Sequence, residues 1–276
     1  MIGRRFWVVA VALGLSACTL PASPTRYPDA SRLQRLGQLL PADAILLGEQ
    51  HDAPDHQRIH RLVVQALVSQ HILAALALEM ASQGQSTQGL APDATEEMVR
   101  NALQWNNQGW PWSAYGPAVM AAVRAGVPVL GANLPAARLR EAMANTELDW
   151  RLTGPALKAQ QQNIRLGHCD KLPESQIAPM TRIQIARDMA MAQTVAQAVR
   201  PGKIVVLLAG GRHVDPSLGV PLHLAPTVKA KTVLMQAEQA SEDTHNLANF
   251  DAIWPAQAAP AVDYCAKFGA VRRKPT

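Results

Sequence analysis

Cysteine, aromatic residues, charge and long apolar runs are all scarce in this chain. Three cysteines in 276 residues exclude a scaffold built on disulfides. No apolar stretch reaches the ~18–20 residues of a membrane span, which excludes a polytopic membrane protein. Charged residues make up only 17%, with a net charge of +5, and they form no basic stripe interleaved with aromatics. Nucleic acid is therefore not an expected partner. Aromatics account for 4%, so the close spacing of Trp105, Trp110 and Trp112 stands out. What the chain does have is a hydrophobic share of 48%, enough to build a core and to exclude wholesale disorder.

The first residues read as an address. Arg4 and Arg5 precede an apolar stretch at 6–15, which runs into Leu15-Ser16-Ala17-Cys18. This is the anatomy of a secretory signal ending in a bacterial lipobox, with residues 1–17 removed and Cys18 acylated. Palmitate-type chains on Cys18 would hold the domain at a membrane, at about 0.8 kcal/mol per buried methylene. Thr19 after the cysteine points to the outer membrane, facing the periplasm or exposed at the surface. Loss of Arg4 and Arg5 leaves 24 basic against 21 acidic residues, a net +3. Residues 18–30, with three prolines, read as a tether. In an oxidising compartment the remaining Cys169 and Cys265 either pair or are two unrelated small residues; pairing is the expectation.

Short apolar runs at 44–47, 72–78, 127–130, 204–208 and 232–235 have the character of buried parallel strands. Ile59, Leu62, Val63, Ala66 and Leu67 form a helical stripe after Pro54, and Val119, Ala122 and Val123 form another. The alternation predicts an α/β fold, with a mainly parallel central sheet flanked by helices, over 31–255. Longer insertions at about 82–117 and 134–200 are expected to form a smaller helical subdomain, and 256–276 a C-terminal tail.

The chemistry sits after the apolar runs. The first ends in Gly48-Glu49-Gln50-His51, the second in Glu79, the third in Gly131-Ala132-Asn133 and the fourth in Gly210-Gly211-Arg212-His213. Parallel strands point their carboxyl ends to one edge, where open α/β sheets bind ligands. Glu49, His51, Glu79, Asn133 and His213 should therefore converge. Two readings follow. His51, Glu79 and His213 form a ligand set for a divalent metal such as zinc or manganese; alternatively, Glu49, His51, Glu79 and His213 carry acid–base chemistry, as in a hydrolase. Against these stand bland roles: a bonded boundary histidine, or a Glu79 paired with Arg212.

Other residues divide in the same way. His56 and His60, one turn apart, either chelate a metal or lie on a solvated helix face, the latter expected. His168, in Gly-His-Cys-Asp, is expected to be partly exposed, and His71, His223 and His245 to be surface or packing residues. The tryptophans and Tyr115 either line an aromatic pocket or pack the subdomain. Met180, Met189 and Met191 read as core filling.

These motifs resemble those of the ChaN-like haem-binding lipoproteins. Similarity runs through Ile45-Leu46-Leu47-Gly48-Glu49-Gln50-His51-Asp52, Glu79, Gly131-Ala132-Asn133-Leu134-Pro135, His168-Cys169, Arg187-Asp188-Met189-Ala190 and Ala209-Gly210-Gly211-Arg212-His213-Val214, then Leu218-Gly219-Val220-Pro221. The wider group includes Tiki and TraB proteins and erythromycin esterases, some of them hydrolases. The resemblance implies haem binding in iron acquisition, with haem held between two subunits by a tyrosine and an assisting histidine, and an outer-membrane haem receptor as a partner. Of Tyr27, Tyr115 and Tyr264, Tyr115 is the expected iron ligand, with His168, His213 and Arg212 as the other haem-binding residues. One departure is Gly210-Gly211-Arg212, where the family more often has Gly-Asn before the histidine.

Overall fold

A computed structural model describes residues 27–238 and 247–266. The signal segment, the lipobox, His245 and the basic stretch 272–274 lie outside the described residues.

Six strands form one sheet: β1 (Ala44–Glu49), β2 (Leu73–Ser82), β3 (Val129–Asn133), β4 (Ile204–Gly210), β5 (Ala230–Ala237) and β6 (Ala252–Ala256). Their order is β3-β2-β4-β1-β5-β6, and every neighbouring pair is parallel. Central β1 and β4 are buried at every residue, which is why they read as unbroken apolar runs rather than alternating ones. Alternate residues still choose opposite faces. Ile45, Leu47, Leu76, Leu78, Val206 and Leu208 enter one core, while Ala44, Leu46, Ala75, Ala77, Val205 and Leu207 enter the other.

The strands outlast their apolar runs. β1 continues through Glu49 and β2 through Ser82, because ladder hydrogen bonding depends on backbone and not on side-chain polarity. Glu49 and Glu79 thus lie within strands rather than after them. β6 was not foreseen from the sequence. It carries Pro255, which an edge strand tolerates on its unpaired side, and it pairs only with β5.

Helices α1 (Asp29–Gln38), α2 (Pro54–Ser69), α3 (Glu96–Ala102) and α4 (Trp112–Arg124) contribute to the larger core. Helices α5 (Leu139–Ala144), α6 (Gly154–Gly167) and α7 (Glu174–Ala198) follow on the other side. The C-terminal part of α7, including Met191 and Val195, packs on the sheet. Its N-terminal part joins Leu139, Leu148 and Leu157 in a third, separate cluster. Residues 134–200 therefore carry the small helical core. The 82–117 insertion instead packs onto the main core through Ala94, Val99 and Leu103, with Trp105, Trp110 and Trp112 against it. Met180, Met189 and Met191 all contribute to the cores. Among the described residues, no helix is long and apolar enough to cross a membrane.

Beyond β6, residues 257–266 run as a strap along the carboxyl edge of the sheet. A disulfide joins Cys265 in the strap to Cys169 beyond α6, with Cα atoms 5.7 Å apart. Tyr264 beside it donates its hydroxyl to Asp52, 2.5 Å away.

Candidate functional site

The strand ends do converge. Glu49, at the end of β1, is buried. Its Oε1 receives the Tyr115 hydroxyl at 2.5 Å and meets His51 Nδ1 at 2.7 Å. Its Oε2 lies 3.5 Å from His60 Nδ1 and accepts from the Gln57 amide at 3.4 Å. Glu79, from β2, accepts the Gly210 N–H at 2.7 Å through Oε2. Its Oε1 stands 3.3 Å from His213 Nε2, and its Oε2 lies 4.0 Å from His51 Nε2. Asn133, from β3, supports this arrangement from behind by donating to the Glu79 carbonyl at 2.9 Å.

Two glycines make the approach possible. A Cβ on Gly48 would come within 2.3 Å of Val214 Cγ2, and one on Gly210 within 3.0 Å of His51 Nε2. The turn carrying His213 can therefore fold down onto β1 only over bare backbone.

His213 is held from both sides. Its Nδ1 is 2.5 Å from Asp188 Oδ1, on α7, and the Gln184 amide lies 2.9 Å from the same nitrogen. Burial opposes the imidazolium, but the Glu79 and Asp188 carboxylates outweigh it and hold the pKa well above the ordinary histidine value. Burial likewise penalises the Glu79 anion, yet His213, His51 and the Gly210 N–H draw its pKa down to about 2. His51 is also raised: burial works against its charge, and Glu49 and Glu79 prevail. The centre is thus an imidazolium between two carboxylates, beside a second imidazole whose side chain is 42% exposed.

This arrangement gives no support to the metal expectation. Both ring nitrogens of His213 face carboxylates, Nε2 towards Glu79 and Nδ1 towards Asp188. Among the described residues, no group of three His, Cys, Asp or Glu side chains can hold a metal ion. His56 and His60 do not lie on a solvated helix face; both are buried. His56 Nδ1 accepts the Gln50 N–H at 2.9 Å, and burial pushes its pKa down to about 4. Burial also lowers His60. Arg212 does not pair with Glu79 but donates to the Asn163 carbonyl at 2.8 Å.

A cavity of about 680 Å³ opens in front of the cluster. Its walls include His51, His213 and Arg212, the end of β5 from Leu234 to Glu238, and the strap from Ala259 to Tyr264. Tyr115 and His168 are not on it. Tyr115 is 1% exposed, behind Glu49, which together with burial raises its phenol and disfavours the phenolate. His168 is half-buried at the end of α6, with Nδ1 2.8 Å from the Ile164 carbonyl. Trp105 and Trp110 pack against Tyr115, Trp112 packs edge-on to Trp105, and Trp110 reaches the site, edge-on to His51 at 4.8 Å. Sequence reasoning did not assign Asp188, Gln184 or Gln57 to the site. Asp188 lay within a recognised motif, but nothing local indicated that its turn of α7 faces His213.

The fold and site define an α/β protein with a charged histidine–carboxylate cluster at the carboxyl ends of a parallel sheet. The family described as haem-binding uptake, Tiki superfamily, ChaN matches residues 35–224. The chain belongs to that family. A solved structure titled for cofacial haem binding to ChaN of Campylobacter jejuni is 26% identical, with a TM-score of 0.63. The match covers 76% of this chain and 87% of that one. The type III effector HopBA1, at 17% identity and a TM-score of 0.50 over 86% of this chain and 99% of that one, shares the fold alone. No curated protein matches. Neither the family description nor the ChaN title speaks of hydrolysis, so neither favours the hydrolase alternative.

Proposed function

We propose that the chain is a membrane-anchored envelope lipoprotein that captures haem for iron acquisition. The observation that carries the haem reading is the family match across 35–224, while the anchor rests on the Leu15–Cys18 box in the sequence. The carboxyl-edge cavity is the place it offers for haem. The cavity combines apolar surface from Leu234, Met235, Pro260 and Val262 with donors at His51, Arg212 and Tyr264, the mixture a planar macrocycle bearing two carboxylates needs. Haem would supply the iron centre that the protein holds. Arg212 would face a propionate, and Tyr264 would be the oxygen donor in place of Tyr115, which does not line the cavity. Asp52 accepts the Tyr264 hydroxyl and so fixes the orientation of the phenol that would face the iron. The family resemblance further suggests a homodimer and an outer-membrane haem receptor as partners.

Hemin titrated into the full chain should give a saturable Soret shift, lost or displaced in Tyr264→Phe and retained in Tyr115→Phe. A wild-type protein with no shift would remove the haem reading. The reverse pattern in the two variants would return the ligand to Tyr115. Sedimentation with and without hemin tests the dimer. Radiolabelled palmitate should enter the wild type and not Cys18→Ser.

A further inference from the structure

The described chain begins at the rim of the cavity. The Tyr27 hydroxyl donates to Glu238 Oε1 at 2.5 Å, and Glu238, just beyond β5, lines the cavity. The ring of Tyr27 also lies 5.9 Å from the Arg32 guanidinium. Arg32, only 2% exposed, pairs with Asp55 at 2.6 Å. Asp55 in turn accepts the N–H of Gln257, where the strap begins, at 2.9 Å. The chain therefore enters the domain pinned to the same edge that carries the cavity, by one bond to the end of β5 and by a buried ion pair reaching the strap.

Length then limits orientation. Nine residue steps separate Cys18 from Tyr27, so whatever their conformation they span at most about 30 Å. A compact domain of this size is about 45 Å across. With Cys18 acylated, as proposed above, the tether is too short to leave the cavity rim on the side away from the membrane.

We infer that the anchor and the Tyr27–Glu238 and Arg32–Asp55 contacts hold the cavity mouth against the lipid surface, and that the cavity draws its ligand from the bilayer. The fitting ligand is amphipathic: an apolar body that partitions into lipid, with anionic groups that remain at the headgroups and meet Arg212. The inference rests on the lipoprotein reading but adds an orientation and a route that haem binding alone does not require.

The test uses the full acylated protein in phosphatidylethanolamine/phosphatidylglycerol vesicles, with a photo-crosslinking residue at Val262 on the rim or at Lys203 on the opposite, amino edge. Crosslinking to lipid should favour position 262 by about tenfold, because a short tether concentrates the rim at the surface. A flexible insert of about 80 residues between Ser23 and Pro24 should abolish that bias, since its r.m.s. span of about 50 Å exceeds the domain diameter. The same insert should slow uptake of vesicle-borne hemin by about tenfold while leaving affinity for hemin in solution unchanged. Equal crosslinking at 262 and 203 overturns the orientation, and equal uptake rates overturn the route; both results leave haem binding standing. Hemin binding absent in solution with the crosslinking bias intact removes the haem reading and keeps the orientation. A protein that takes up no palmitate removes the anchor and the inference together.

Discussion

Glu79 on β2 and His213 in the turn beyond β4 meet at 3.3 Å, and each stabilises the charge of the other in a buried setting. A buried ion pair of this kind depends on both partners, because a lone buried charge costs several kcal/mol. Glu79→Gln should therefore lower the His213 pKa toward its ordinary value. A histidine titration followed by NMR measures this directly, and an unmoved His213 would reassign the dominant partner to Asp188.

Acid should destabilise the fold in two stages. His56 is neutral in the native state, with its pKa lowered from 6.5 to about 4. Its contribution is complete above pH 6.5 and is lost as pH falls toward 4, worth at most about 3 kcal/mol. Glu79, lowered from 4.5 to about 2, contributes fully above pH 4.5 and loses that contribution below it. Thermal unfolding followed from pH 7.5 to 3 should show both losses. His56→Asn, which keeps an acceptor for Gln50, should remove the first; an identical acid profile in that variant would discount His56.

Gly48→Ala should cost about 1–3 kcal/mol, as overpacking does, because its Cβ would strike Val214 at 2.3 Å. Adding Val214→Ala to that variant should recover part of the loss. Urea unfolding of the single and double variants decides the matter, and strict additivity would show that the contact is not the cause.

Breaking the Cys169–Cys265 bond should release the strap without dismantling the sheet. Closing so long a loop is worth about 2–4 kcal/mol in a chain-entropy account. Cys265→Ser should unfold at lower denaturant and become sensitive to protease between Gln257 and Ala266, with the 27–238 portion intact. Unchanged protection of the strap would mean that the Tyr264–Asp52 and Gln257–Asp55 contacts hold it without the disulfide.

Strands β1 to β5 were legible because each is an apolar run bounded by polar residues. β6 was not, since Pro255 and a short Ala-rich run look like a loop until an edge position is available for them. The site was legible to the extent that parallel strands align their ends, which placed Glu49, His51, Glu79, Asn133 and His213 together. It failed where a residue's role depends on what packs against it. Tyr115 and the pair His56 and His60 have the polarity of ligands or surface groups, yet all three are buried, and only the tail's return put Tyr264 on the cavity.

By itself the chain's order of residues determined the parallel architecture and the gathering of acids and imidazoles at one edge. Hydrophobic periodicity and strand direction are local properties that survive without knowledge of neighbours. Tertiary structure alone decided that His213 is locked between Glu79 and Asp188, and that the strap and Tyr27 share the cavity rim. Protonation and enclosure depend on distances between segments remote in the chain, and no local pattern encodes those distances.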